Sequence, residues 1–324
     1  MLFYFRTEKD LSQFHIGGQA VIEGVLIRAP ERYSTAVRRL SGQIVVKSCE
    51  YIPLAKRRKL YNLPLLRGVI GLFEMLYIGI KSLNFSADQQ MAEETSKKKK
   101  PDKSNRLRQS LGLALSFGLA FGIAFLVFFY FPLWLADALD LQKTTWQFNL
   151  LTGAIRVVFF LSYVWFLSFF KDLRRIFQYH GAEHMSIYAF EAGEELTLDN
   201  IRKHTTLHPR CGTSFIFLVV ILAITVYSLS DVLFYLLTGF TPKLGERVLL
   251  HLVLLPLVAG VAYEALKLSD KTKNSLLTRI FIAPGLWLQK ITTQRPSDDQ
   301  IEVAVAAIQG ALNTTLGPGI QVQK

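Results

Sequence analysis

The chain has 324 residues, is 51% hydrophobic and 12% aromatic, and carries a formal net charge of +12. Its two cysteines, Cys49 and Cys211, exclude a disulfide framework and fit a reducing compartment. The apolar residues gather into long blocks with the charges between them. The basic excess is therefore expected to orient a membrane protein and touch anionic lipid headgroups, and no nucleic-acid partner is expected.

Met1–Asp10 holds Arg6, Glu8, Lys9 and Asp10 and no apolar stretch, so no cleavable signal peptide is expected there. Residues 15–54 read as β structure. Gln19–Arg28, Ser34–Leu40 and Gln43–Tyr51 are candidate strands, and Leu40-Ser41-Gly42-Gln43 has the residues of a hairpin turn. Residues 1–60 are thus expected to form a small β-rich cytoplasmic lobe. Pro64 opens an apolar helix to about Asn84, in which Arg67, Glu74 and Lys81 make one polar stripe. Three charges are costly in lipid, so segment 61–85 is expected to lie at the interface or half-inserted, its stripe facing water or headgroups. Ser86–Arg108, with the run Lys97–Lys100, reads as a flexible basic linker spanning 86–110.

Four apolar blocks follow, at about Leu111–Ala136, Phe148–Phe170, Thr213–Phe240 and Val248–Leu268. Each supplies the ~20 residues an α-helix needs to cross the hydrocarbon core. The fold class expected is an α-helical integral membrane protein, with a four-helix transmembrane region over 111–268. Arg156, inside the second block, should face the bundle interior or snorkel. Loops 137–147 and 241–247 hold only Lys143, Lys243 and Arg247, whereas 171–212 holds Lys171, Arg174, Arg175, Arg202, Lys203 and Arg210. That bias places both termini in the cytoplasm. In the C-terminal segment, 269–324, Ile280–Ile291 contains Pro284, Gly285 and Trp287 and resembles an interfacial anchor. Ser297 with Gln300 reads as a capping box, opening an amphipathic helix to about Asn313. Its Ile301, Val305, Ile308 and Leu312 face should dock on the cytoplasmic lobe.

The strongest chemical pattern is His180-Gly181-Ala182-Glu183-His184, expected on a helix continuing from the second span. Positions i, i+3 and i+4 share a helical face, so two imidazoles can hold one ion while a carboxylate handles a proton. The order H-x-x-E-H is that of the inverzincins. His204 and His208-Pro209-Arg210-Cys211-Gly212 arrive just before the third span. The preferred ligands for Zn2+ or another divalent metal are His180, His184 and His208, with Cys211 fourth or alternative and Glu183 the base. The competing reading is a helix whose His and Glu bond to neighbours or headgroups, with Pro209 and Gly212 shaping a turn. Two further carboxylates sit in costly places. Glu264 near the end of the fourth span is expected to pair with Arg156 or Lys267, and Glu23 lies in Gly17-Gly18-Gln19-Ala20-Val21-Ile22-Glu23-Gly24. That stretch lacks P-loop or dinucleotide spacing, and no Ser-His-Asp or Ser-Lys frame is recognisable.

Gly17–Pro30 (GGQAVIEGVLIRAP), Tyr179–Glu195 (YHGAEHMSIYAFEAGEE), Leu207–Phe215 (LHPRCGTSF), Leu255–Lys267 (LPLVAGVAYEALK) and Pro284–Val303 (PGLWLQKITTQRPSDDQIEV) resemble the YqhQ family. The resemblance covers nearly the whole chain except the Lys-rich stretch. It implies a multi-span protein of the bacterial cell membrane, and it carries the family's predicted metal dependence onto His180, Glu183, His184, His208 and Cys211.

Three functions compete. The first is a metal-dependent hydrolase at the cytoplasmic membrane face, acting on a membrane protein, a peptide or a lipid headgroup. The second is a non-catalytic assembly, scaffold or regulatory protein with structural histidines. The third, least supported, is a transporter using Arg156 and Glu264, since no internal repeat or broken helix pair is visible.

Overall fold

Val- and Ile-rich segments separated by small turns fold into an antiparallel meander of β1 (Gly17–Val21), β2 (Gly24–Arg28), β3 (Arg32–Arg38) and β4 (Ile44–Glu50). The computed structural model describes residues 16–95, 112, 115–116, 118–139, 146–209, 211–271, 276–317 and 319–323. The turn at Gly42 (φ 87°) is where it was expected. The single strand expected over Gln19–Arg28 is instead two, paired Val21 to Gly24 across the two-residue loop Ile22-Glu23. That loop contains no Asn-Gly or Asp-Gly, so its composition does not announce a turn. Glu23 adopts φ 51° there and bonds bidentately to Arg175 at 2.5 Å. A short β5 (Gln321–Gln323) joins β4 in parallel, an element absent from the sequence reading.

The longer helices are α1 (Leu66–Thr95), α2 (Gly118–Ala138), α3 (Trp146–Leu167), α4 (Lys171–Glu191), α5 (Gly212–Thr238), α6 (Leu244–Lys271), α7 (Leu276–Thr292) and α8 (Asp298–Leu312). Two faces of the sheet are covered. On one, Val25, Ile27, Ala36 and Val46 pack with Tyr179, Ala182 and Ile187 of α4 and with Ile301, Ala304 and Ile308 of α8. On the other, α1 sets Phe85 against Val21, Val37 and Val45, and Ile78 against Leu26 and Tyr33. A three-layered lobe results, with α8 opened by the expected Ser297/Gln300 capping box; of its expected face Ile301 and Ile308 are buried and Val305 and Leu312 half-buried, while Val303, Ala304, Ala307 and Ala311 widen the buried side.

Helix α1 departs from expectation in two ways. It runs through Ser86–Thr95, the first part of the expected linker, because buried Ser86 and Gln89 face the sheet and Gln89 Oε1 accepts from Arg39 at 2.9 and 2.6 Å. The Lys97–Lys100 run lies outside the described residues. Two members of the polar stripe of α1 meet protein, Arg67 pairing with Glu264 and Glu74 Oε1 accepting the Leu54 N–H at 2.8 Å, while Lys81 is exposed. Glu264 therefore takes Arg67 as its hydrogen-bonded partner in place of Arg156, with the Lys267 charge also acting on it. The reason is the close course of α1 along α6, where a Cβ on Gly260 would lie 2.9 Å from the Leu65 carbonyl oxygen.

Helices α2, α3, α5 and α6 are each long and apolar enough to cross a membrane. In α2, a π-helical stretch over Leu126–Tyr130 precedes Pro132, whose ring would otherwise clash with the preceding turn. A Cβ on Gly153 of α3 would run into Ile224 of α5, so glycine permits their close approach. Arg156 turns into the bundle, its guanidinium 5.2 Å from the Phe129 ring and 5.8 Å from that of Tyr227. The expected continuous helix from the second span into the His motif is broken. Ser168 Oγ donates to the Trp165 carbonyl at 2.6 Å and Phe170 is extended (ψ 128°), so α4 leaves the bundle and enters the lobe.

Candidate metal centre

Three segments converge where the lobe meets the bundle: α4, the loop before α5, and the end of α7. Their approach depends on a small residue. A Cβ on Gly181 would collide with the Gln294 carbonyl, so this glycine admits the chain after α7 against α4. The same segment supplies the Thr292 carbonyl, which accepts from His180 Nδ1 at 2.9 Å. One turn on, His184 Nδ1 reaches the Thr206 carbonyl at 2.5 Å. A carbonyl only accepts, so each Nδ1 carries a proton, and in the neutral form of either ring Nε2 is the nitrogen that offers a lone pair. Carbonyl-anchored imidazoles of this kind are the usual outer support of metal-ligating histidines.

The freed nitrogens meet Cys211. His180 Nε2 stands 3.2 Å from Cys211 Sγ, and one donor atom each from His180, His184 and Cys211 lies within 4.8 Å of the others. Bonds of ~2.0–2.3 Å in a tetrahedral site hold donors roughly 3.5 Å apart, so this trio needs to close by about an ångström around an ion. Two imidazoles and a thiol are a borderline-soft set suited to Zn2+, and three protein ligands leave a fourth position open. Cys211 caps the N-terminus of α5, where the helix dipole favours the thiolate. Burial holds the His184 imidazolium below its ordinary range, keeping the ring neutral, as ligation requires.

His208, ranked ahead of Cys211 from sequence, stands beside the trio rather than in it. Its ring centroid is 5.5 Å from that of His184, and its Nε2 lies 3.7 Å from Glu191 Oε2. His204 turns away to Glu194 at 3.0 Å. Glu183 is 4% exposed, and its Oε2 has no hydrogen-bond partner among the described residues. Burial pushes its pKa up to about 8; neighbouring Cys211 adds to the rise, while His180 and the Gly18 N–H oppose it.

Two supporting residues were not singled out from sequence. Gly18 lies against Glu183, where a Cβ would come within 2.9 Å of Oε1. Gln289 of α7 clamps the His208 backbone, accepting its N–H at 2.7 Å and donating to its carbonyl at 2.8 Å. The local signal for Gln289 is a polar side chain next to Leu288 in the mainly apolar stretch Ile280–Ile291. A second buried polar group occurs near the far end of the bundle, where Asp231, Arg247 and His251 are each at most 1% exposed.

Comparison with known proteins agrees with the residue blocks quoted above. No solved structure matches the chain. It is 34% identical over 296 residues to "Uncharacterized protein YqhQ" of Bacillus subtilis (strain 168), covering 89% of each chain. Residues 63–314 match the family model described as "Protein of unknown function (DUF1385)", so the chain belongs to the DUF1385 family, to which its helices, sheet and His/Cys cluster give a physical outline.

Proposed function

We propose that this is a multi-pass protein of the bacterial cell membrane, with both termini cytoplasmic, and that His180, His184 and Cys211 hold a zinc-type divalent ion for hydrolysis at the cytoplasmic face. The observation that carries this reading is the pair of Nδ1–carbonyl bonds, which leaves two Nε2 atoms facing one sulfur. When bound, such an ion acidifies water and polarises carbonyl or phosphoryl oxygens. The chain's own residues do the rest. Thr206 and Thr292 fix the imidazoles, Cys211 supplies the anionic ligand, and Glu183 Oε2 is the buried atom suited to take up and return a proton. His208 stays a reserve donor on the same wall.

The membrane reading draws on the four apolar helices and the Lys/Arg bias of the 171–212 segment. Exposed Lys56, Arg57, Arg58 and Lys59 beside exposed Leu60 and Leu63 suit contact with anionic headgroups. A substrate presented at that surface, a membrane protein, a peptide or a lipid headgroup, fits the site's place between lobe and bundle. The second reading, a non-catalytic assembly, scaffold or regulatory protein with structural histidines, draws on the burial of Glu183 and His184.

Elemental analysis of purified wild type and two variants separates these readings. The hydrolase reading expects one divalent ion per chain, retained in Glu183→Gln with turnover lost, and both ion and turnover lost in His180→Ala. A wild type without turnover supports the non-catalytic reading, and a wild type without a stoichiometric ion overturns the hydrolase reading.

A further inference from the structure

The bundle holds a second polar centre that the metal site does not use. Asp231 of α5, His251 and Arg247 of α6, and Asn149 of α3 are all buried between apolar helices. Asn149 Nδ2 donates to Asp231 Oδ2 at 2.8 Å, and Arg247 lies 3.6 Å from the same oxygen. The other oxygen, Oδ1, faces His251 Nε2 at 3.5 Å, a distance that becomes an ion pair only if the imidazole is protonated. Neither ring nitrogen of His251 nor Asp231 Oδ1 has a hydrogen-bond partner among the described residues. The His251 ring is held flat against Tyr227, centroids 3.9 Å apart and planes within 6°.

Ionisable side chains are costly inside a bundle, and a buried polar atom without a partner adds a further penalty. One proton answers two of these unmet atoms at once, His251 Nε2 and Asp231 Oδ1. Placed between Nε2 and Oδ1, it converts a loose contact into a charge-assisted bond and gives the imidazole a second N–H. Asp231 lies twenty residues after Cys211 on one helix, about 30 Å away at 1.5 Å per residue, close to the thickness of a hydrocarbon core. Arg247 and His251 sit within two turns of the start of α6, so the centre lies near the bundle end remote from the His/Cys cluster. We infer that Asp231 and His251 form an intramembrane proton-binding pair, loaded from that remote end and independent of the metal centre.

The charges facing the pair come from every neighbouring helix. Arg156 of α3 approaches across Tyr227, Arg247 of α6 lies beside Asp231, and Asp137 of α2 acts on Arg247. Arg156 and Arg247 place positive charge near the imidazole, and Asp231 places negative charge against it. The pair therefore titrates as one unit, in which Asp231 is the decisive partner.

The test is a pH titration of the full chain in lipid nanodiscs, with histidine rings followed by NMR. The expected result is a resonance that is absent in His251→Gln, shows through-space contact with the Tyr227 ring, and titrates between about pH 4 and 9. Asp231→Asn, which keeps size and shape, should move its midpoint down by about one unit or more. Because the Tyr227 contact identifies the ring in the wild type, the result does not hinge on how His251→Gln folds. A His251 ring that stays in one protonation state across that range overturns the inference, as does a midpoint unmoved by Asp231→Asn.

Discussion

At Gly18 an added Cβ would come within 2.9 Å of Glu183 Oε1 and collide with the Leu26 carbonyl, and at Gly181 it would collide with the Gln294 carbonyl. Alanine at either position must push apart the strand, the helix and the segment that carries Thr292. Such overpacking costs roughly 1–3 kcal/mol, and the loss should appear as a lowered melting temperature together with weakened metal retention. Glu183 makes a prediction of opposite sign. Its folded pKa of about 8 lies above the ordinary 4.5, so its contribution is fully present below pH 4.5 and lost as pH rises through about 8. In metal-free protein, Glu183→Gln should therefore be more stable than wild type at pH 8–9, by roughly 1–3 kcal/mol, with the difference vanishing near pH 4. Equal melting curves at both pH values would contradict the burial of a charged carboxylate. The pairing of His180 with His184 one turn apart was legible from spacing alone, whereas the placing of Glu183 against Gly18 of the sheet was not. The ranking of His208 over Cys211 was not, because which of two loop donors points inward depends on Gln289, eighty-one residues away, clamping the His208 backbone.

Among the elements, α1 shows most plainly what local pattern conveys and what it hides. Its apolar character and its stripe at Arg67, Glu74 and Lys81 are visible in sequence, but the partners of Glu74 and Arg67 come from Leu54 and α6. The four long apolar helices were legible because twenty consecutive apolar residues are a local fact. The Ile22-Glu23 turn and the parallel β5 were not, since each depends on partners distant in the chain, Arg175 in one case and β4 in the other. Arg67 and Glu264 are each about four-fifths shielded from solvent. A double-mutant cycle of Arg67→Ala and Glu264→Ala should give a coupling of about 0.5–3 kcal/mol, and near-zero coupling would place the attachment of α1 in its apolar contacts instead.

For the molecule as a whole, the lobe and the His/Cys trio lie at one end of the bundle, and the Asp231/His251 centre lies toward the other. The proposed orientation requires the short α5–α6 connection to face outward. A cysteine at Thr241 should react with a membrane-impermeant maleimide on intact cells, whereas labelling only after permeabilisation would reverse the topology. Family membership extends the outline to relatives sharing the same blocks, but the substrate must be found through the site itself. The central claim, that two carbonyl-anchored imidazoles and one thiolate bind a single ion, is tested most directly by the optical spectrum of the cobalt-loaded chain. We predict a thiolate-to-cobalt charge-transfer band with one ion per chain, lost in Cys211→Ser and diminished in His180→Ala. Cobalt uptake without that band, or a band unchanged by Cys211→Ser, would contradict it.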